Sequence, residues 1–186
     1  AYGFGQRVFG ENYVQEALAK QEALPDLDVE WHCIGHVQTN KAKDVTGRFA
    51  LIHTVDNLKF AETLARRLPE DIPVQRVLLQ VNIGNEPQKA GVDEHDLPAL
   101  AEAVLALPRL EVRGLMCLPP VFDAGEAARP HFARLRVLCE ELRVRLGLPL
   151  PELSMGMSGD FEAAVAEGAT LVRIGTDIFG PRPPRT

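Results

Sequence analysis

What this sequence lacks narrows its function before any motif is considered. Its 186 residues include three cysteines, Cys33, Cys117 and Cys139, an odd number at no metal-ligand spacing. They are expected to be reduced, mostly buried thiols of a cytoplasmic protein, neither a disulfide framework nor a zinc site. Positive charge is in deficit: 20 Lys and Arg stand against 26 Asp and Glu, a formal net charge of −6. That balance argues against DNA or RNA as the main partner, because a phosphate backbone selects a basic face. No apolar run approaches the ~20 residues of a membrane span, and the opening Ala1-Tyr2-Gly3-Phe4-Gly5-Gln6-Arg7 has no apolar signal-peptide core. There is no Walker loop, no GxGxxG and no Ser-His-Asp spacing.

What is present is a strict alternation. Short β-rich runs lie at 8–11, 31–37, 51–55, 76–83, 112–118, 152–157 and 171–175, with helical patterns between them. The clearest helix is 127–146, where Ala128, Phe132, Leu135, Leu138, Leu142 and Leu146 share a face. A second covers 93–107. A third carries Leu58, Ala61, Leu64, Ala65 and Leu68, with Asp56 as its expected N-cap and Pro69 past its end. Alternating βα units imply a parallel sheet in one domain, 1–186. Seven strands suit either an open doubly wound sheet or a (β/α)8 barrel short of one strand. Small polar residues at the ends of both last strands favour the barrel, whose final two loops commonly cradle phosphate. The proline-rich end from Pro181 onward is expected to be irregular.

Those last two strand ends hold the strongest chemistry. The run Ser154-Met155-Gly156-Met157-Ser158 and the run Arg173-Ile174-Gly175-Thr176 combine glycines with hydroxyls and one arginine. Small residues admit a close anion, Ser154, Ser158 and Thr176 add O–H donors, and Arg173 adds a fork suited to phosphate. Elsewhere the signals are weaker. Asn12 sits at the mouth of the first strand or caps the next helix, and local sequence favours the cap. Alternation puts His32, Ile34 and His36 on one side of the second strand, with His36 at the mouth. Two histidines without nearby carboxylates make a poor metal site. Gln80, Asn82 and Asn85 bring amides to another mouth. No paired acid and base stands out.

Taken in order, Phe9-Gly10-Glu11-Asn12-Tyr13-Val14-Gln15-Glu16, Trp31-His32-Cys33-Ile34-Gly35-His36-Val37-Gln38-Thr39-Asn40-Lys41, Gly114-Leu115-Met116, Leu153-Ser154-Met155-Gly156-Met157-Ser158 and Val172-Arg173-Ile174-Gly175-Thr176 resemble the YggS/PROSC family over essentially the whole chain. The resemblance implies a (β/α)8 TIM-barrel-like domain of the alanine racemase N-terminal type, fold type III of the pyridoxal 5′-phosphate (PLP) proteins. It implies PLP as ligand, a role in buffering or delivering it, PLP-dependent apoenzymes as partners, a monomer, and no robust catalysis. Carried over by motif, phosphate would lie against Ser154, Met155, Gly156, Ser158, Arg173, Gly175 and Thr176, with Asn12 and His36 nearer the pyridine ring. The family's Schiff-base lysine lies on a first strand that precedes Phe9-Gly10-Glu11-Asn12. None of Lys20, Lys41, Lys43, Lys59 and Lys89 matches it. The chain is thus expected to be an N-terminally shortened form with seven strands, two unpaired barrel edges and scope for self-association through them. The competing expectations are a PLP-dependent racemase- or decarboxylase-like enzyme and a barrel acting on another phosphorylated metabolite.

Overall fold

The computed structural model describes residues 1–84, 86, 89–120 and 123–181; Asn85 and residues 182–186, included in the sequence expectations, lie outside them. Seven strands form one parallel sheet in chain order: β1 (Val8–Glu11), β2 (Glu30–Cys33), β3 (Leu51–Val55), β4 (Gln75–Val81), β5 (Leu110–Cys117), β6 (Glu152–Met157) and β7 (Leu171–Arg173). A parallel neighbour needs a crossover, and helices supply most of them: α1 (Val14–Ala23), α2 (Leu58–Arg67), α3 (Leu97–Leu105), α4 (Arg129–Leu146) and α5 (Phe161–Ala166), with the four-residue α6 (Thr176–Phe179) after β7. Between β2 and β3 the crossover is a 3₁₀ turn, Thr39–Asp44. The sheet curls into a nearly closed barrel, with β1 and β7 as its two edges.

Alternation along the strands sorts the core into two bodies. One packs the sheet against the helices and includes Ile52, Val77, Leu79, Leu115 and Met155 facing Phe60, Leu64, Phe132 and Leu135. The other is a small plug inside the barrel, made of Leu51, Leu78 and Met116 with Leu171 against it. All three cysteines are buried and free, as the sequence implied. The N-terminal end of the barrel carries an ionic layer. Arg113 Nη1 is 2.8 Å from Glu111 Oε1, Arg76 Nε is 3.5 Å from Glu111 Oε2, and Glu152 Oε2 accepts the Thr170 hydroxyl at 2.7 Å.

Several expected boundaries move. The second strand stops at Cys33, not at 37, because the chain must cross over the first. Ile34 N–H still bonds Glu11 O at 3.0 Å, but a Cβ on Gly35 would stand 1.9 Å from Asn12 O. The last strand ends at Arg173, and helix 93–107 contracts to α3. The long helix begins at Arg129, after a 3₁₀ turn over Gly125–Ala128. Asn57, one residue beyond the expected Asp56, is the N-cap of α2 and accepts Phe60 N–H at 2.9 Å. The Asn57 side-chain amide holds Asp56 Oδ1 at 2.7 Å, so the two residues act together.

Two outcomes follow from this packing. At Gly114 the φ is +154° and an added Cβ would sit 1.8 Å from Glu152 O, between β5 and β6. Gly114→Ala should therefore cost roughly 3 kcal/mol or prevent folding, seen as a lowered urea midpoint; an unchanged midpoint would contradict the β5–β6 contact. Burial pushes the Cys33 thiol up to about 11 and the Cys117 thiol up to about 12. An aromatic disulfide reagent at pH 8 should leave both intact in the folded chain and titrate all three cysteines once urea is added.

Candidate functional site

The C-terminal ends of β6 and β7 lie side by side because Ser154 pairs with Leu171 and Met157 with Arg173. That register brings the turn after β6, Met157-Ser158-Gly159, against the turn after β7, Ile174-Gly175-Thr176. The first turn is held by Asp160, whose Oδ1 accepts Met157 N–H at 2.6 Å, and by Gly125 N–H on Gly159 O at 3.0 Å. Ser158 Oγ is buried and has no hydrogen-bond partner. A hydroxyl left in that state costs about 1–3 kcal/mol unless something else bonds it. Gly175 has an ordinary φ of −108°, and a Cβ there would meet nothing within 4 Å. Neither backbone strain nor protein packing accounts for that glycine; it leaves open space at the turn.

Each expected site residue can now be placed. Ser158, Gly175 and Thr176 lie together on the two turns, and Thr176, the first residue of α6, is exposed. Gly156 is buried with φ +92°, and a Cβ would come within 2.6 Å of Ala164 Cβ, so its glycine is demanded by packing against α5. Met155 is fully buried in the outer core, with its side chain turned away from the turns. Ser154 and Arg173 point inward. Ser154 is fully buried, and its Oγ accepts Arg173 Nη1–H at 2.7 Å. Arg173 Nη2 donates to Cys117 O, at the end of β5, at 2.9 Å. The arginine therefore spans from β7 to β5 across the barrel.

Asn12 and His36 sit on the β1–β2 side of the mouth. Asn12 is not the helix cap that local sequence favoured; Tyr13 holds that position, without a side-chain cap bond. The Asn12 backbone instead passes so close to Gly35 that a side chain there would collide with it. His36 lies on the loop beyond β2, exposed, with Nδ1 3.8 Å from Asp56 Oδ2 at the end of β3. This His–carboxylate pair was invisible in sequence because its members belong to different strand ends.

Two further interior residues were not recognised as a unit. His32 is 5% exposed and His53 is 2% exposed. Their rings are linked, His53 Nε2 to His32 Nδ1, at 3.0 Å. His53 Nδ1 is 2.8 Å from Ser154 Oγ, and His32 Nε2 is 3.0 Å from Glu30 Oε1. The available signal was alternation: both histidines occupy inward positions of adjacent strands, and β2 pairs His32 with Leu51. Burial, then the neighbouring His32 and Arg173, hold His53 well below the ordinary histidine pKa. Burial also lowers Arg173, which stays cationic.

A model of the alanine racemase N-terminal domain matches residues 1–183. A pyridoxal phosphate homeostasis protein of Aquifex aeolicus is 50% identical over 181 residues, covering 97% of this chain and 79% of its own length. The protein of that name from Pseudomonas aeruginosa is also 50% identical, over 182 residues, with 98% of this chain and 77% of its own length covered. The chain belongs to the YggS/PROSC family. Among solved structures, PipY of Synechococcus elongatus superposes at TM-score 0.90 without PLP and 0.89 with PLP bound, at 44% identity. Those matches cover 97% of this chain and 85% and 84% of PipY. Alanine racemase of Corynebacterium glutamicum, at 19% identity and TM-score 0.70, shares the fold. The YggS/PROSC assignment and the seven-stranded barrel thus agree.

The buried histidine makes stability depend on pH with a definite sign. His53 is neutral in the native chain, whereas in the unfolded chain it takes up a proton below about pH 6.5. The unfolded state then binds more protons, so its contribution is intact above pH 6.5 and is lost as pH falls below it. The loss should reach up to about 1.4 kcal/mol per pH unit from this group. Urea midpoints between pH 7.5 and 5 should fall more steeply for the native chain than for His53→Gln; parallel slopes would mean His53 is protonated when folded.

Proposed function

We propose that this YggS/PROSC chain binds pyridoxal 5′-phosphate at the paired β6 and β7 turns and serves in its homeostasis, as a buffer or donor to PLP-dependent apoenzymes, without robust turnover of an amino acid. The observation that carries this is the orphaned, buried Ser158 hydroxyl at the β6 turn. It lies in a family whose relatives are named for pyridoxal phosphate homeostasis and whose likeness PipY was solved with PLP bound.

The residues fit the group. Ser158 offers a donor with no protein partner, Gly175 leaves room for a phosphate to approach the backbone, and exposed Thr176 adds a hydroxyl. Arg173 adds a fixed positive charge beneath the turns. Ser154 contributes through Arg173, since its oxygen is already engaged, and Met155 and Gly156 contribute backbone and shape. Asn12 and His36 would face the ring from the β1–β2 side. When bound, PLP supplies an aldehyde and an electron-withdrawing ring; this chain's residues supply the cradle and the charge. The five lysines lie on α1, on the 3₁₀ turn, on α2 and in the loop holding Lys89, and none is on a strand. The contacts that the cradle residues supply are to the phosphate. Among the described residues no helix is long and apolar enough to cross a membrane.

Titration with PLP should give a saturable change in absorbance, and intact mass after borohydride treatment should be unaltered. Ser158→Ala should weaken the affinity roughly tenfold, since it removes a donor to a charged group. The same change should leave the urea midpoint unchanged or raised, because the hydroxyl has no protein partner to lose. An unaltered affinity, or no binding by the native chain, would defeat this reading.

A further inference from the structure

The polar groups inside the barrel form one chain from end to end: Glu30 at the base of β2, His32 above it, His53 on β3, Ser154 across the interior on β6, and Arg173 on β7. Its direction follows from donor counting. A guanidinium only donates, so Ser154 Oγ accepts from Arg173 Nη1. The serine's other partner is His53 Nδ1, so the serine hydrogen goes there. His53 Nδ1 is then the bare nitrogen and Nε2 carries the proton, which it donates to His32 Nδ1. His32 Nε2–H is left facing Glu30 Oε1. The reverse order would strand the serine hydrogen, fully buried, with no acceptor, at a cost of about 1–3 kcal/mol. The chain therefore runs one way, from a cation to a carboxylate, and fixes the same tautomer on both rings.

Packing alone does not call for this arrangement. Equivalent inward positions on β4 and β5 are filled by Leu78 and Met116. Two imidazoles and a serine in the same interior are costly unless fully satisfied. What they accomplish is visible at the upper end. Arg173 is gripped at Nη1 by Ser154 and at Nη2 by Cys117 O.

We propose that Glu30, His32 and His53 are positioning residues for Arg173: their one-way hydrogen-bond chain holds the Ser154 oxygen as an acceptor and so fixes the guanidinium face presented to the ligand. This inference rests on the PLP reading given above. Glu30 is the discriminating residue, because its side chain is half exposed at the opposite end of β2 from the mouth and it has no part in the cradle.

The test has two readouts on the full chain. Imidazole nitrogen shifts of the ligand-free protein should show Nε2 protonated and Nδ1 bare on both His32 and His53; a protonated Nδ1 on neutral His53 overturns the chain's direction. Glu30→Ala should lower the melting temperature by a few degrees, since it leaves His32 Nε2–H without its acceptor, weaken PLP binding roughly fivefold, and change the near-ultraviolet dichroism of bound PLP. His53→Asn, whose carboxamide oxygen can take the place of Nδ1 as acceptor, should retain more affinity than His53→Leu. Native affinity and dichroism in Glu30→Ala would overturn the positioning role while leaving PLP binding intact. No uptake of PLP by the native chain would overturn the functional reading, and the positioning role with it.

Discussion

The hydrogen bond from Ser154 to His53, 2.8 Å across the barrel interior, is the constraint on which the rest is arranged. It joins strands whose bonded residues are 101 positions apart in the chain. A barrel interior this small is usually filled with branched aliphatic side chains in layers. Here the aliphatic layer is thin, and the remaining volume is occupied by groups that must be satisfied with one another. Satisfaction propagates upward to Arg173 and downward to Glu30, so the polar chain couples the base of the barrel to its mouth. The ionic layer of Arg76, Glu111, Arg113 and Glu152 gives that base a solvated closure.

The outer architecture was legible because local rules act there. Helix stripes such as Phe132, Leu135 and Leu142 report a buried face whatever lies opposite, and the continuous apolar run of β4 reports a strand covered on both sides. Boundaries set by neighbours were not legible. Strand β2 ends early because Gly35 must clear the Asn12 backbone, a contact between segments more than 20 residues apart. The α2 cap shifted by one residue because Asp56 and Asn57 are both good caps, and only the bond to Phe60 N–H decides between them.

The same distinction applies to the candidate site. Hydroxyls and glycines at the ends of β6 and β7 are a one-dimensional signal, and the β6–β7 register converts it into adjacency. The sequence treats Ser154 and Ser158 alike, as small hydroxyls four residues apart. Ser154 lies within β6 and faces into the barrel, whereas Ser158 lies past an irregularity in the β6–β7 pairing, on the turn after the strand. Ser154 is low enough to meet His53 and Arg173, whereas the Ser158 hydroxyl at the turn is buried with no hydrogen-bond partner. Glycine shows a similar divide: Gly156 is required by α5, while Gly175 is required by no protein atom. The difference between a residue that builds the barrel and one left unengaged at its mouth is therefore a difference in satisfaction.

That criterion also separates fold from function. Alanine racemase and this chain share a barrel at 19% identity, which speaks for the backbone alone. What a barrel of this kind does depends on which interior groups are spent on each other and which remain available at the strand ends. In this chain the acid, both imidazoles and Ser154 are spent on holding one arginine. His53, buried and held neutral, is poorly placed to exchange protons with a substrate at the mouth. The turns after β6 and β7 keep donors and open backbone, while His36 and Asp56 pair on the other side of the mouth, and a cluster of donors binds an anion more readily than it moves a proton.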